Sequence, residues 1–272
     1  MMSLLLRNTL NRFPVLKRYL KSIHDRLRPA GSVSSHYVEI DVDKRDGEAL
    51  RLADSWKAED LPARQRALVE RQLKDYRAGA AIDVFDVFTA ALSRIGDFPS
   101  QASLLEIGCS SGYYSEVLEV SGLPLRYHGC DYSGAFIEMA RRTYPACSFD
   151  LEDATRLRYA DEAFDVVVSG CCLLHIPDYK AAIAESARVA KGHVIFHRTP
   201  VVYGEPTKYF RKQAYGVETV EIHFSEPELL DLFELHGLEV QATFTLNNSP
   251  DPDDPSKGSA NRTYLCRKQS RS

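Results

Sequence analysis

The run Leu104-Leu105-Glu106-Ile107-Gly108-Cys109-Ser110-Ser111-Gly112-Tyr113-Tyr114 reads as an apolar strand, a turn of small residues and the start of a helix. Gly108 and Gly112 let such a turn bring its backbone close to a ligand at the carboxyl end of a strand, where open α/β sheets place their crevices. Nucleotide sites that receive a pyrophosphate use GxGxxG. Here the spacing is GxxxG, and a carboxylate at Glu106, two residues upstream, is poorly suited to pyrophosphate but can help organise the loop around a cationic amino acid. About twenty residues on, Tyr127-His128-Gly129-Cys130-Asp131-Tyr132-Ser133 is a strand ending in an acid, where a carboxylate can accept both hydroxyls of a ribose. Two further strand ends follow: Phe149-Asp150-Leu151-Glu152-Asp153-Ala154, rich in acids, and the run from Phe164 through Gly170, Cys171 and Cys172 to His175 and Ile176.

These ends need a scaffold. Short apolar runs at 103–107, 126–130, 164–169 and 193–197 are separated by helical stretches, and strands alternating with helices argue for a parallel sheet covered on both faces. Upstream, Leu61, with Pro62 in a first-turn position, opens an apolar face continued by Leu68, Leu73 and Tyr76. Ile82, Phe85, Phe88, Leu92 and Ile95 make another, giving two helices or one bent helix. Downstream, a helix over 225–236 has a capping-box sequence in Ser225 and Glu228 and is closed by Gly237. Strands near 238–246 and 262–267 complete the pattern, and 247–261, rich in Pro, Asp, Ser and Asn, reads as a mobile hairpin loop.

With 272 residues, 44% apolar and 26% charged, the chain is a soluble globular protein; collagen-like, wholly disordered and membrane-spanning classes are excluded. Charge is uneven. Residues 1–30 hold seven Lys and Arg against Asp25 alone, while the remainder carries a net charge of −10, which disfavours a nucleic-acid partner. In 4–27, Leu6, Leu10, Phe13, Leu16, Leu20, Ile23 and Leu27 recur at steps of three or four, a basic amphipathic helix kinked at Pro14. Such a helix lies peripherally on an anionic membrane, docks on a partner, or packs on its own domain. Arg7 cuts the apolar run too early for a secretory signal, whereas an Arg-rich, acid-poor segment is compatible with an organellar presequence. Residues 31–60 read as linker with an edge strand at Tyr37–Ile40. The chain thus divides into 1–60, basic helix and linker, and 61–272, an α/β domain with a helical cap over 61–98. The six cysteines form no CxxC pair and have no partner His at zinc-ligand spacing; reduced, mostly buried thiols, a cytoplasmic compartment and no metal are expected.

Taken in order, the four strand ends resemble those of the class I S-adenosylmethionine-dependent methyltransferases, whose first motif reads acid-x-Gly-x-Gly or small-x-Gly; Ser110 stands where many members have glycine. The resemblance covers residues 80–268. It implies a Rossmann-like α/β sheet of seven strands in the order 3-2-1-4-5-7-6, the seventh antiparallel, here with an N-terminal helical extension. It also implies S-adenosyl-L-methionine as cofactor and S-adenosyl-L-homocysteine as product. By that resemblance Glu106, Gly108, Cys109, Ser110 and Gly112 wrap the methionine half and Asp131 takes the ribose, with Tyr132 beside the adenine. Asp153, preferred to Asp150 and Glu152 on its spacing to Phe164, and the amide of Ala154 hold the adenine edge, and Gly170 lines the pocket near the reactive methyl.

A sulfonium already activates its methyl group, so the protein's main task is to hold an acceptor in line with it, a contribution of about 7–11 kcal/mol. A base is needed only for a weakly acidic acceptor such as a hydroxyl. His197, ending the fifth strand beside Arg198, ranks first for that role and His175, after the fourth strand, second; His223 is expected to buttress the following helix. Residues 199–222, with Tyr203, Tyr209, Phe210 and Tyr215 beside Lys208, Arg211 and Lys212, are expected to contact the acceptor or else to form an aromatic-stapled surface helix. The expected reaction is methyl transfer to a small-molecule, glycan or lipid-linked acceptor at oxygen. The alternatives are a non-catalytic S-adenosylmethionine-binding module, an RNA methyltransferase or an NAD-dependent oxidoreductase.

Overall fold

The computed structural model describes residues 34–269. Its centre is β2 (Ala102–Ile107), buried at every position, as a strand covered on both faces must be. β2 pairs in parallel with β3 (Leu125–Asp131) on one side and β5 (Phe164–Gly170) on the other. β4 (Ser148–Leu151) lies beyond β3, and β6 (Ala190–Tyr203) beyond β5. β10 (Gly258–Lys268) runs antiparallel between β6 and β9 (Leu238–Pro250). The resulting order β4-β3-β2-β5-β6-β10-β9 is the expected 3-2-1-4-5-7-6 with its antiparallel seventh strand.

Because side chains alternate across a strand, successive residues enter different cores. Leu105, Ile107 and Val167 join Phe196, Phe233 and Tyr264 on one face. Leu104, Val166 and Val168 join Phe85, Phe88 and Tyr114 on the other. Each such side chain, fully buried, contributes roughly 1.5–3 kcal/mol. The helices α4 (Tyr114–Ser121), α5 (Gly134–Thr143) and α6 (Tyr179–Val189) follow β2, β3 and β5, and α7 (Glu226–Leu235) precedes β9. The cap is two separate helices, α2 (Leu61–Arg77) and α3 (Asp83–Ser93).

The region expected to be linker is structured from Ser34 onward. β1 (Ser34–Glu39) pairs antiparallel with β7 (Lys208–Ala214), which pairs with β8 (Val217–Ser225), and α1 (Arg45–Leu52) packs on β8. The polar look of 34–39 is that of a strand exposed at nearly every position. Residues 199–222 likewise form no surface helix: they end β6 and build the β7–β8 hairpin, turned by Tyr215 and Gly216 at φ 49 and 81, the left-handed pair that two-residue hairpins demand. β8 also pairs in parallel with β6 at Val201 and Val202, so this lid is continuous with the main sheet.

Two further expectations change. Ser225 makes no side-chain cap; instead its N–H donates to Thr207 Oγ1 (2.9 Å), whose hydroxyl donates to Glu228 Oε2 (2.9 Å), so the lid supplies the cap. β9 and β10 run through most of 247–261, leaving a turn at 251–257 held by Asp251 and Asp254 side chains. All six cysteines are free, with Cys109, Cys130 and Cys266 buried. Among the described residues no helix is long and apolar enough to cross a membrane, and no cluster of His, Cys, Asp and Glu could hold a metal. The basic segment 4–27, with its expected membrane contact, lies outside the described residues.

Candidate active site

The carboxyl ends of β2, β3, β5 and β6 open into one cavity of about 1090 Å³, closed over by α2 and the lid. Its floor is the β2–α4 turn. Gly108 and Gly112 have φ 72 and 74; a Cβ on the first would collide with Cys172, and one on the second would meet the Phe149 ring at 2.6 Å. Ser110, at φ 48, adopts the same left-handed backbone, which costs a non-glycine residue about 1–2 kcal/mol. That conformation is tied down, since the Ser110 N–H donates to Asp131 Oδ2 at 2.9 Å.

Asp131 is buried at the tip of β3, and its Oδ1 accepts from the Ser133 N–H at 2.9 Å. Burial pushes its carboxyl up to about 6, against the pull of the Ser133 and Ser110 amides. A carboxylate offers about four acceptor positions, so acceptor capacity remains for a ligand on the cavity wall. Next to it Tyr132 donates its hydroxyl to the Ala53 carbonyl (2.9 Å) and lies under the Lys57 ammonium, 5.2 Å from the ring centroid, which fastens the lid to the β3 tip.

Of the three acids after β4, Asp153 is on the wall, using Oδ1 for the N–H and hydroxyl of Thr155 (2.8 and 2.7 Å). Ala154 lies beside it. Glu152 reaches the cavity too but is committed to Arg158 at 2.7 Å, and Asp150 turns away to His128 at 2.7 Å. Gly170 and His175 complete that side.

Three residues expected at the cofactor lie behind the wall. Cys109 and Glu106 are buried, and Gly112 packs on Phe149. Glu106 accepts the Tyr127 hydroxyl and backs Gly170, where a Cβ would strike its Oε1; burial holds it well above the usual carboxylate range, which opposes the charge expected there.

His197 requires a correction. It is 1% exposed and not on the cavity; Nε2 lies 2.9 Å from the Tyr114 hydroxyl and Nδ1 2.9 Å from Thr263 Oγ1. Burial, with Arg198 adding to it, lowers its pKa to about 3. The cause is a β-bulge: Phe196 pairs with Tyr264 and Thr199 with Arg262, so His197 and Arg198 together oppose Thr263. Arg198, at φ 57, is the residue that lines the cavity. Strand alternation read from sequence cannot show that extra residue, although Arg198 stood next to the chosen histidine.

His175 does reach the cavity. Its Nδ1 is 2.6 Å from the Val220 carbonyl, which accepts only, so Nδ1 carries the proton and Nε2 keeps a lone pair. Burial first, then the Lys212 charge, lowers its pKa to about 4. Trp56 lies against it, with ring centroids 4.7 Å apart. Sequence reasoning missed Trp56, Tyr113 and Gln65 as wall residues; of the aromatic–basic stretch, Tyr209, Lys212 and Tyr215 line the cavity. Lys212 is buried in an ion pair with Glu221, which also binds His223 Nε2 at 2.8 Å. His223 thus serves that pair rather than the helix after Ser225.

Residues 105–196 match the family model of a methyltransferase domain, in line with the resemblance to the class I S-adenosylmethionine-dependent methyltransferases. A trans-aconitate 2-methyltransferase of Variovorax paradoxus is 29% identical over 110 residues, 40% of this chain and 42% of that one. A demethylmenaquinone methyltransferase of Renibacterium salmoninarum is 32% identical over 97 residues, 36% of this chain and 40% of that one. The chain thus spans less than half the length of these curated relatives. The 1,6-didemethyltoxoflavin-N1-methyltransferase of Burkholderia thailandensis shares the fold at TM-score 0.54 and 14% identity, over 89% of this chain and 99% of that one.

The residues present fit the family's cofactor, S-adenosylmethionine. Asp131 keeps acceptor capacity for a ribose diol, Asp153 leaves Oδ2 free beside the Ala154 amide, and the turn at Gly108 brings its backbone to the cavity floor. The volume meets the upper end of the roughly 300–1,000 Å³ range of small-molecule sites, enough for two ligands together.

Proposed function

We propose that this chain is an S-adenosylmethionine-dependent methyltransferase that methylates a small-molecule acceptor, at oxygen, by in-line displacement. The observation that carries the reading is Asp131: a buried carboxyl at the β3 tip, fixed by two backbone amides beside a left-handed glycine turn, with acceptor positions left on the cavity wall. Ser110, Gly108 and Asp131 bind the methionine and ribose parts, and Tyr132, Asp153 and Ala154 surround the base. When bound, S-adenosylmethionine supplies a methyl group activated by its sulfonium. The chain's own part is to orient the acceptor, and His175 is suited to that: its free Nε2 lone pair can accept a hydroxyl proton in a hydrogen bond. A pKa of about 4 makes it an orienting acceptor rather than a strong base. Its relatives' names include trans-aconitate and demethylmenaquinone methyltransferases, which supports a small acceptor without fixing which.

The test is turnover. Purified protein is given S-adenosylmethionine and a panel of hydroxylated small molecules, and S-adenosylhomocysteine release is followed by mass spectrometry. Acceptor-dependent release is expected, with His175→Ala slowing it at unchanged cofactor affinity. Tight cofactor binding with no release for any acceptor would favour a binding module instead.

A further inference from the structure

Three cationic side chains line the cavity: Lys57, Lys212 and Arg198. Two are neutralised. Lys57 pairs with Asp54 at 2.7 Å, and Lys212 pairs with Glu221. Arg198 differs: among the described residues no carboxylate lies within 4.0 Å of its guanidinium and no side chain or carbonyl accepts a hydrogen bond from it. The groups that bear on it are the Cys171 thiol and the Tyr113, Tyr114 and Tyr215 hydroxyls, all of them uncharged while protonated. A cation set into a protein wall without a counter-charge or hydrogen-bond partners is costly, and a ligand anion removes that cost.

The backbone shows that this position is imposed. Arg198 is the second residue of the bulge in β6, held at φ 57 in the left-handed region, and its N–H donates to Thr263 Oγ1 at 3.2 Å. The same hydroxyl binds His197 Nδ1 at 2.9 Å, so one threonine fixes both halves of the bulge. Strained residues of this kind persist where the surroundings over-determine them, and bulges re-aim side chains beside active sites. The bulge sits partway along β6, level with the tip of β5, where His197 pairs with Gly170, and on the opposite side of β5 from Asp131 at the tip of β3. That is the acceptor side of the cavity if the ribose lies on Asp131. Trp56, Tyr113, Tyr215 and His175 line the same cavity with flat aromatic surface.

We propose that Arg198 binds a carboxylate of the methyl acceptor, so that the substrate class is a small, flat organic anion. This rests on the methyltransferase reading. The guanidinium's planar fork matches a carboxylate bidentately, which a lysine cannot reproduce. A carboxylate has one other source here, the methionine end of the cofactor, and the experiment separates the two.

Titration calorimetry is carried out on the full chain, first with S-adenosylhomocysteine and then, on the loaded protein, with benzoate and its uncharged analogue benzamide. The wild type is expected to bind benzoate at least tenfold tighter than benzamide. Arg198→Gln should bind S-adenosylhomocysteine within twofold of wild type, which also shows that it folds, and lose the preference for benzoate. Arg198→Lys should keep part of it. If Arg198→Gln instead weakens S-adenosylhomocysteine tenfold and leaves the benzoate preference intact, Arg198 serves the cofactor and the proposal is overturned. Equal affinity of the loaded wild type for benzoate and benzamide overturns it as well. A wild type that binds no S-adenosylhomocysteine refutes the methyltransferase reading itself, and the proposal falls with it.

Discussion

Acidification from pH 7 to pH 5 is expected to weaken S-adenosylhomocysteine binding about tenfold, through one carboxyl group. Asp131 must be ionised to accept two ribose hydroxyls while already accepting the amides of Ser110 and Ser133. With its carboxyl pushed up to about 6 by burial, it is about nine-tenths ionised at pH 7 and one-tenth at pH 5. Binding selects the ionised form, so in the acid range one proton is released per ligand bound. Two other titratable groups of the cavity keep their charge state in that window: His175 titrates near 4 and is neutral, and Glu221 is held at about 2 and is ionised. The assay is calorimetric titration at half-unit pH steps in buffers of different ionisation enthalpy, which counts the proton. Asp131→Asn should bind weakly at every pH and show no step. A flat wild-type profile, or a step that survives in Asp131→Asn, refutes the assignment of the ribose to Asp131.

Other outcomes follow from packing and charge. His197→Ala should cost roughly 2–4 kcal/mol in urea denaturation, from the cavity and from the lost hydrogen bonds to the Tyr114 and Thr263 hydroxyls, while cofactor affinity stays unchanged. Glu221→Gln strands buried Lys212 and should cost about 3–5 kcal/mol in the same assay. Burial alone would raise the Glu221 carboxyl, but His223 and Lys212 hold it at about 2, below its unfolded value. Its contribution is therefore present above about pH 4.3 and fades as pH falls towards 2, a dependence of about 3 kcal/mol that the variant should lack. Ser110→Gly relieves the left-handed strain and should preserve cofactor affinity, measured by the same titration, because the amide that binds Asp131 is kept. Gly112→Val should lower the thermal midpoint and weaken the cofactor, since its side chain enters the Phe149 ring.

The parts of this architecture legible in the sequence were those with local signals. Buried parallel strands are apolar runs, so a parallel α/β sheet could be anticipated, and strand ends carrying Gly108, Asp131 and Asp153 keep their chemistry within a few residues, so they carried the family resemblance that implied the sheet order. The acceptor side depended on features with no local signal. A bulge places Arg198 rather than His197 on the wall, and a place at a strand end, the ground on which the histidine was chosen, does not show which of two neighbours faces the cavity. The lid pairs Ser34 with Ala214, far apart in sequence, and an exposed edge strand has the composition of a linker. Glu106 looked like a charge beside the cofactor; its burial, which raises its pKa against the pull of the Tyr127 hydroxyl, is a tertiary fact.

The most direct test of the central claim, that the strand tips from β2 to β5 grip one adenosyl ligand, is a crystal structure of the protein grown with S-adenosylhomocysteine. The account predicts both ribose hydroxyls on the Asp131 carboxylate at about 2.7 Å, with the sulfur directed toward the side of the cavity that holds His175 and Arg198. A ribose bound elsewhere, or a cleft closed by Trp56 and Tyr132 with no ligand between the tips, would contradict it.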